Sequence, residues 1–478
     1  MSLPRIGLIT FGDERQHEWK KVLGQLTEPR HAQARVYFSS LELELVSFDE
    51  VARSRADINR QVDALKQQGV EALIAHTPCW TAPNLVVHGV QRLNRPTLLL
   101  SNKSPATHGT VGFLGAAGAL DQIGYPYRRL RENFENGDAI ANQALPYLRA
   151  AAAVDRLRGA VFGLFGGRSL GIDTGTIDPM QWRTLFGVDV EHIDQLEIIR
   201  RADLVPDTQV QDMLQWLAAN VASIDYNDQG LTPSKLAYQV RCYLATREII
   251  GEQGLDFVAV KCMPDLSTHY VPQCLTAALL PGPYDADGPR QPIAMACEAD
   301  GDGALTMEML KQVSGGLPVL FGDVSYINEA LAVLYMPNCG ALCTWYAARS
   351  ADPSENLARV ELRPANRPGG GAITYFTAAP GPLTLARLYR RAGSYFMGIF
   401  SGNAIELPPA ELEAFVQARG SHQLPTAFVQ ADVDWEALLG SFGSNHISAV
   451  AGDFVAEMVE VCRLLGIECR VFNRGGAL

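Results

Sequence analysis

The sequence predicts an α/β protein, with two doubly wound parallel-sheet domains followed by a mixed α+β C-terminal domain that has a β-barrel-like core. Short apolar runs alternate with helical patterns through about the first 335 residues, which is typical of parallel sheets covered by helices. Residues 341–405 are instead rich in glycine, proline, threonine and aromatic residues. At 478 residues the chain is too long for one ordinary core. We expect three domains, at residues 1–156, 157–335 and 336–478.

The first two predicted domains follow one pattern, in which apolar strands and helices alternate. In the first domain, strands are predicted at Ile6–Thr10, Leu43–Ser47, Ala72–His76 and Thr97–Ser101, with helices at 50–68 and near 138–155. In the second, strands are predicted at Arg158–Phe165, Val188–His192, Phe257–Lys261, Ile293–Glu298 and Val319–Val324, with helices at 206–222, 234–253 and 304–314.

The third predicted domain combines β-type segments with two helical patterns. The predicted β segments are Arg359–Leu362, Ala372–Thr377 and Ile447–Val450, and the predicted helices are 408–418 and 453–465.

Composition narrows the class of protein. The formal charge of −12 argues against a nucleic-acid partner, which would favour a basic surface. No apolar segment is long enough to span a membrane, and the N-terminus runs directly into a strand pattern without the features of a signal peptide. The nine cysteines are scattered and contain no Cys-x-x-Cys pair, so a zinc or redox thiol site is not expected. We expect a cytoplasmic protein.

Two acidic side chains stand where apolar runs stop. Glu298 follows the run 292–296, and Asp323 follows the run 317–321. Both runs are interpreted as buried parallel strands, and sites in such sheets form beyond the carboxyl ends of strands. If the two carboxylates converge, they suit a divalent cation, a general acid/base pair, or both. Taken singly, Glu298 is better explained as a solvated strand end, and Asp323 as a helix N-cap or turn former; the functional interpretation depends on the two acids occurring together.

Three further residues near these acids receive weaker interpretations. Asp300 and Asp302 are interpreted as turn residues, because the segment 296–304 lacks the ligand spacing of a calcium loop. His446 follows Gly443-Ser444-Asn445 on a predicted loop that opens into a strand. The sequence alone does not connect His446 to the two acids.

A set of motifs that runs in order along nearly the whole chain resembles the L-fucose isomerase family, which is more distantly related to L-arabinose isomerase. The motifs are Thr77-Pro78-Cys79-Trp80, Gly166–Ile172, the Glu298 segment, Phe321-Gly322-Asp323-Val324, Gly369-Gly370-Gly371 and Gly443-Ser444-Asn445-His446. The resemblance implies two α/β domains and a C-terminal domain with β-barrel-like structure.

The resemblance also implies an activity and a metal. Family members interconvert an aldose and its ketose through a cis-enediol and use a glutamate, an aspartate and a histidine as ligands of a divalent cation, typically Mn²⁺. These ligands fall on Glu298, Asp323 and His446, with the two acids also acting as acid/base groups. Carboxylate oxygens and one imidazole suit Mn²⁺, and other divalent cations are possible. The implied substrate is a monosaccharide, and the implied assembly is a homo-oligomer, a hexamer or one built from trimers.

Substrate contacts follow from the same resemblance with less detail. Trp80 matches a tryptophan that reaches a neighbouring subunit's site, although a core aromatic is the plain alternative. Asn445 matches an asparagine near the substrate. Arg15 lies roughly where the family has a substrate-contacting arginine, with a surface arginine as the alternative. Lys261 does not come from the resemblance, because the segment 260–267 departs from the typical enzymes. It ends a predicted strand, where it either snorkels to the surface or meets an anionic or differently oriented substrate end.

The chain also departs from the family pattern. It is shorter than the best-known bacterial L-fucose isomerases, and Ala372-Ile373 replaces the aromatic residue that follows the triple glycine. These departures weaken L-fucose as the substrate and favour another aldose, including one that carries a phosphate or a sulfonate. Two alternatives stay open: a metal-dependent epimerase that uses the same intermediate, and a non-catalytic sugar-binding protein on the same scaffold.

Overall fold

The computed structural model describes residues 3–420 and 423–475, which form two compact units. One unit contains residues 3–156 together with 456–466, and the other contains residues 157–455 together with 467–475. Parallel sheets occupy the N-terminal part of the chain, and antiparallel pairing dominates the C-terminal part. The division into three domains and the β-barrel-like closure stay predictions.

The first unit is built on a five-stranded parallel sheet. In spatial order its strands are Glu44–Val46, Arg5–Thr10, Ala72–His76, Thr97–Ser101 and Tyr127–Arg131. Its helices are Gln16–Glu18, the π-helix Trp19–Leu23, Gly24–Ser39, Arg55–Gln67, Pro83–Leu93, Gly109–Gln122, the 3₁₀ turn Phe134–Asn136, Gly137–Leu157 and Val455–Leu465.

The two faces of this sheet bury alternate residues in separate apolar clusters. Leu73 and Ala75 pack in one cluster, whereas Ala72 and Ile74 pack in the other. Because both faces are covered, each strand is a continuous apolar run rather than an alternating one. For this reason the strands Ala72–His76 and Thr97–Ser101 have the bounds that the sequence predicts.

The second unit begins with a four-stranded parallel sheet. Its strands in spatial order are Met295–Cys297, Phe257–Val260, Val161–Phe165 and Asp189–Ile193. The helices of this part are the 3₁₀ turn Asp173–Gly175, Pro179–Leu185, Leu196–Ala202, Asp207–Asn220, Pro233–Gln253, Asp265–His269, Cys274–Leu279 and Gly301–Val313.

An eight-stranded, largely antiparallel sheet completes the second unit. Its strands are Val319–Asp323, His446–Ala451, Gly381–Arg391, Ser394–Ala404, Thr426–Gln430, Val333–Pro337 and Tyr326–Asn328, with Glu468–Val471 added beside Ser394–Ala404. Smaller sheets contain Ala372–Tyr375, Glu361–Pro364 and Ser223–Ile224, and Tyr284–Asp285 with Gly288–Pro289. The remaining helices are the 3₁₀ turn Thr344–Ala347, Pro353–Leu357, Pro409–Arg419 and Trp435–Leu439.

The strand that ends in Asp323 corrects one prediction. Val319–Asp323 does not join the parallel sheet, because it pairs antiparallel with His446–Ala451. An apolar run of this length fits a buried strand of either kind, so the sequence could not identify its partner. Glu298 does follow a parallel strand, although that strand is the short Met295–Cys297.

None of the helices in the described part of the chain is long and apolar enough to cross a membrane.

Two glycines of the helix Gly109–Gln122 provide a matched test of packing. A Cβ at Gly112 would lie 2.8 Å from the Cys79 carbonyl oxygen and 3.1 Å from the Thr81 nitrogen, whereas a Cβ at Gly118 would meet nothing within 4 Å. We expect Gly112→Ala to lower the unfolding free energy by about 1–3 kcal/mol through overpacking. We expect Gly118→Ala to raise it by about 0.5–1 kcal/mol through helix propensity. Thermal unfolding of both variants checks this, and equal shifts would contradict it.

Candidate active site

Glu298 lies at a sharp backbone turn between a strand and a helix. It directly follows the strand Met295–Cys297, and both Glu298 and Ala299 adopt left-handed conformations, with φ of 59° and 54°. Such angles are unfavourable for residues with a Cβ and persist where the surrounding structure enforces them. The turn ends at Asp300, whose side chain accepts a hydrogen bond from Gly303 N and so caps the helix Gly301–Val313.

Asp323 and His446 meet because they are direct partners across two antiparallel strands. The Nε2 atom of His446 lies 3.5 Å from Asp323 Oδ1 and 3.1 Å from Glu298 Oε2. His446 is only 2% exposed. The structure therefore brings together the three residues proposed as metal ligands, while their chemical roles stay predictions.

A third acid, Asp300, holds the other side of the histidine ring. Nδ1 of His446 donates to Asp300 Oδ2 at 2.6 Å, and the buried Arg387 guanidinium donates to the same oxygen at 2.6 Å. Asp302 is also buried and accepts a hydrogen bond from the Tyr395 hydroxyl at 2.9 Å. The interpretation of Asp300 and Asp302 as turn residues missed this network. A Cβ at Gly303 would lie 2.7 Å from Arg387 Nη1, but a glycine in the sequence does not identify that distant partner.

Burial and charge set the protonation of this cluster. Burial raises the pKa of Asp323 to about 6, against the opposing effect of His446. Burial lowers the pKa of His446, but the hydrogen bonds to Asp300 and Glu298 outweigh it and raise the pKa to about 9. Burial raises the pKa of Asp300, yet the charges of Arg387 and His446 prevail and bring it to about 2. At neutral pH the ring is therefore an imidazolium that donates from both nitrogens.

The donor set fits a divalent cation by its chemistry. Two carboxylates and one imidazole are hard and borderline ligands that suit Mn²⁺. The Asp300 carboxylate on Nδ1 fixes the ring so that Nε2 faces Glu298 and Asp323, as an outer carboxylate does for a ligating histidine. Within residues 3–420 and 423–475, however, no three or more His, Cys, Asp or Glu side chains already surround a common point as ligands. Cation binding would require His446 Nε2 to lose its proton.

The two other predicted contacts in this unit differ in their surroundings. Asn445 is exposed and precedes His446, and its carbonyl accepts a hydrogen bond from Val324 N at 2.8 Å. Lys261 follows the strand Phe257–Val260, and its ammonium group is paired with Asp265 at 2.7 Å. Asn445 is thus held beside the triad, whereas the charge of Lys261 is compensated.

Trp80 and Arg15 belong to the first unit, in the loops that follow two of its strands. Trp80 is partly buried and packs against the small apolar cluster of Trp19, Leu23 and Cys79. Arg15 is ion-paired with the buried Asp13 at 2.5 Å, and its side chain is 58% exposed. Neither residue is placed against substrate by these contacts, so both assignments stay predictions.

Comparison with known proteins identifies the class to which this fold and site belong. Residues 3–159 match the first N-terminal domain of L-fucose isomerase, and residues 336–472 match its C-terminal domain. A sulfoquinovose isomerase from Clostridium sp. (strain MSTE9) is 25% identical over 394 residues, covering 80% of this chain and 82% of the relative. The sulfoquinovose isomerase of Priestia aryabhattai is 21% identical, covering 90% and 91%. The L-fucose isomerase of Citrobacter koseri is 22% identical, covering 99% and 93%.

The protein is therefore a sugar isomerase that interconverts aldoses and ketoses. The chain belongs to the L-fucose isomerase family, as its motifs predict.

The neighbouring acids Asp300 and Asp302 are expected to affect stability in opposite ways. Burial raises the pKa of Asp302 from 3.8 to about 7. Between these two pH values the folded protein holds a proton that the unfolded chain has released, so the unfolding free energy falls as the pH rises through this range. Asp302→Asn removes this dependence, and its unfolding free energy should rise relative to wild type between pH 4 and 7.

Asp300→Asn is the comparison. The pKa of Asp300 is lowered from 3.8 to about 2, so the ionised carboxylate contributes its full stabilisation at pH values above 3.8. Substitution by asparagine removes this negative charge and leaves the buried Arg387 guanidinium without its ion-pair partner. We expect a loss of about 3–5 kcal/mol in unfolding free energy. Urea unfolding at a series of pH values checks both variants, and parallel curves for the two would contradict the assignment.

Proposed function

We propose that this isomerase moves a proton between C1 and C2 of an open-chain monosaccharide through an enediol, in a Mn²⁺-dependent reaction. The observation that carries the proposal is the convergence of Glu298 and Asp323 on the buried ring of His446, with separations of 3.1 and 3.5 Å from the histidine Nε2. Membership of the L-fucose isomerase family supports the same reaction.

The two carboxylates are suited to exchange protons with the sugar. A proton beside a carbonyl is only weakly acidic. A general base is most effective in removing it when the pKa of the base lies near the pH at which the enzyme works. Burial raises the pKa of Asp323 to about 6, which places this group near that range. Glu298 stands on the other side of the histidine Nε2 and supplies the second acid/base group.

The metal would be held by Glu298 Oε2, Asp323 Oδ1 and His446 Nε2. A divalent cation in this position would stabilise the negative charge that develops on the sugar oxygens as the proton leaves C2. Asp300 and Arg387 would hold the histidine in the required orientation from behind. The other groups of the site then bind and orient the sugar, with Asn445 closest in sequence to the ligands.

The substrate class is narrowed by the relatives. Those described above are named for sulfoquinovose, a sulfonated hexose, or for L-fucose, a neutral deoxyhexose. Together with the departures from the family pattern after the triple glycine, this favours a modified sugar over L-fucose. An epimerase that uses the same intermediate is the second candidate.

Removal of one acid tests the mechanism. Glu298→Gln keeps the size of the side chain but cannot accept a proton, and turnover should fall about 10²–10⁴-fold while sugar binding persists. The assay is ketose formation by proton NMR in D₂O with Mn²⁺ added after chelator treatment, and deuterium should enter at the exchanged carbon. Glu191→Gln, on the strand Asp189–Ile193, is the matched control, because this glutamate is exposed.

The assay distinguishes the isomerase from the epimerase and from a non-catalytic sugar-binding protein. Unchanged turnover in Glu298→Gln would remove Glu298 from the mechanism. Formation of a C2 epimer without ketose would establish the epimerase, and metal binding without conversion or exchange on any sugar would favour a binding protein.

We also propose that the enzyme is a hexamer, or is built from trimers, in which Trp80 completes the site of a neighbouring subunit. Co-expression of Trp80→Ala with Glu298→Gln tests this arrangement. If each site combines residues of two chains, some mixed sites contain both wild-type residues, and activity should recover to a measurable fraction of wild type. Mixing the separately purified variants without exchange of subunits is the control, and an inactive co-expressed oligomer would contradict the shared site. The cytoplasmic location stays a prediction.

A further inference from the structure

A cavity of about 470 Å³ in the second unit is lined by three arginines, Arg363, Arg367 and Arg419. The arginines come from three different segments: the strand Glu361–Pro364, the loop before the triple glycine, and the helix Pro409–Arg419. Polar walls are added by Cys339 and Gln423. Three cations around one cavity are unfavourable unless negative charge enters it or lies close by.

Among the described residues, Arg363 is the one of these arginines with carboxylates within 4.0 Å, which are Glu361 at 2.6 Å and Asp225 at 4.0 Å. Arg363 is ion-paired with Glu361 at 2.6 Å and lies 3.5 Å above the ring of Tyr375, which holds its plane in place. Arg367 donates to the Asn366 carbonyl at 3.1 Å, and Arg419 donates to Ser325 Oγ at 3.0 Å. In residues 3–420 and 423–475, Arg367 and Arg419 have no carboxylate within 4.0 Å, so two positive charges are uncompensated by ion pairs.

A second arginine-lined cavity, of about 700 Å³, differs because its arginines are paired with carboxylates. There Arg200 is paired with Glu197 at 2.5 Å, Arg201 with Glu252 at 2.5 Å, and Arg247 with Asp285 at 2.7 Å. Each cation in that cavity already has a carboxylate partner. Both cavities are lined by three arginines, so the two cavities differ in whether those charges are paired and not in the number of arginines.

The smaller cavity adjoins both segments that carry the catalytic acids. Arg419 contacts Ser325, whose Cα lies within about 7 Å of the Asp323 Cα, because one residue separates them in the chain. On the other side, Cys339 follows Asn338, and Asn338 Oδ1 lies 3.9 Å from the Sγ atom of Cys297, the residue before Glu298. A sugar whose C1–C2 end faces the two acids can thus extend toward the arginines.

We propose that Arg363, Arg367 and Arg419 bind a tetrahedral anionic group, a sulfonate or a phosphate, at the far end of the sugar substrate. The inference rests on the proposed function, since it takes the reacting end of the sugar to lie at Glu298 and Asp323. Guanidinium groups match such oxyanions because they donate paired, parallel hydrogen bonds. Lys261, the cation that the sequence suggested for this role, is already bound to Asp265.

The test compares sugars that differ at one position. 6-Deoxy-6-sulfoglucose, glucose 6-phosphate and neutral 6-deoxyglucose are titrated into the wild-type protein by calorimetry at fixed ionic strength. We expect at least one anionic sugar to bind tenfold or more tightly than 6-deoxyglucose. The preference between sulfonate and phosphate then identifies the group.

Arginine variants test whether the preference for an anionic sugar comes from this cavity. In Arg367→Gln and in Arg419→Gln, affinity for the preferred anionic sugar should fall about 10–100-fold, while affinity for 6-deoxyglucose changes less than twofold. Arg200→Gln, in the larger cavity, removes the same charge and should change neither affinity. Thermal unfolding confirms that the variants are folded, which is expected because both arginines are only half-buried.

Three results would overturn the site: no preference for an anionic sugar, an equal loss of affinity for neutral and anionic sugars, or the same loss in Arg200→Gln. Deuterium exchange distinguishes this failure from failure of the proposed function. Exchange on a neutral sugar without anion preference would contradict only the arginine site. Arginine-dependent binding of an anionic sugar, without exchange on any sugar, would contradict only the isomerase mechanism.

Discussion

The antiparallel pairing of Val319–Asp323 with His446–Ala451 is the constraint on which the site depends. It places Asp323 directly opposite His446, although the two residues are far apart in sequence. Because side chains alternate between the two faces of a sheet, a slip of one residue would turn one of them away. The helix cap at Asp300 then fixes the histidine ring from its other nitrogen, and the left-handed turn at Glu298 completes the cluster.

This arrangement concentrates charge in the interior, and its stability depends on complete pairing. Arg387 and Asp300 are both fully buried, and removing ions from water is expensive even when they attract each other. Arg387 also donates to the Thr174 carbonyl at 2.9 Å, and His446 adds a second cation beside Asp300. The network is weak as a source of stability, but it leaves the histidine one favourable orientation. The network thereby points Nε2 toward Glu298 and Asp323.

The sequence predicted elements whose surroundings leave a local pattern, and it failed where the partner is distant. The strands Ala72–His76 and Thr97–Ser101 are buried on both faces, so their apolar runs end where the strands end. The run before Asp323 has the same appearance, but its partner lies at the far end of the chain. Asp300 was interpreted as a turn residue from the string Glu-Ala-Asp-Gly-Asp-Gly, and it does cap a helix. The same carboxylate also binds Arg387 and His446, and nothing local reports that second role.

The charges of the second unit divide the proposed substrate site into two ends. Acids and one imidazolium gather at Glu298, Asp323 and His446, whereas two arginines without carboxylate partners stand at the neighbouring cavity. The net charge of −12 works against an anionic sugar at long range, but salt screens such forces beyond about 8 Å at physiological ionic strength. Capture of an anion must therefore come from short-range, oriented contacts. If the substrate carries the proposed anionic group, oriented contacts from Arg367 and Arg419 would favour the binding direction that places this group in the arginine cavity and the other end of the sugar at Glu298 and Asp323.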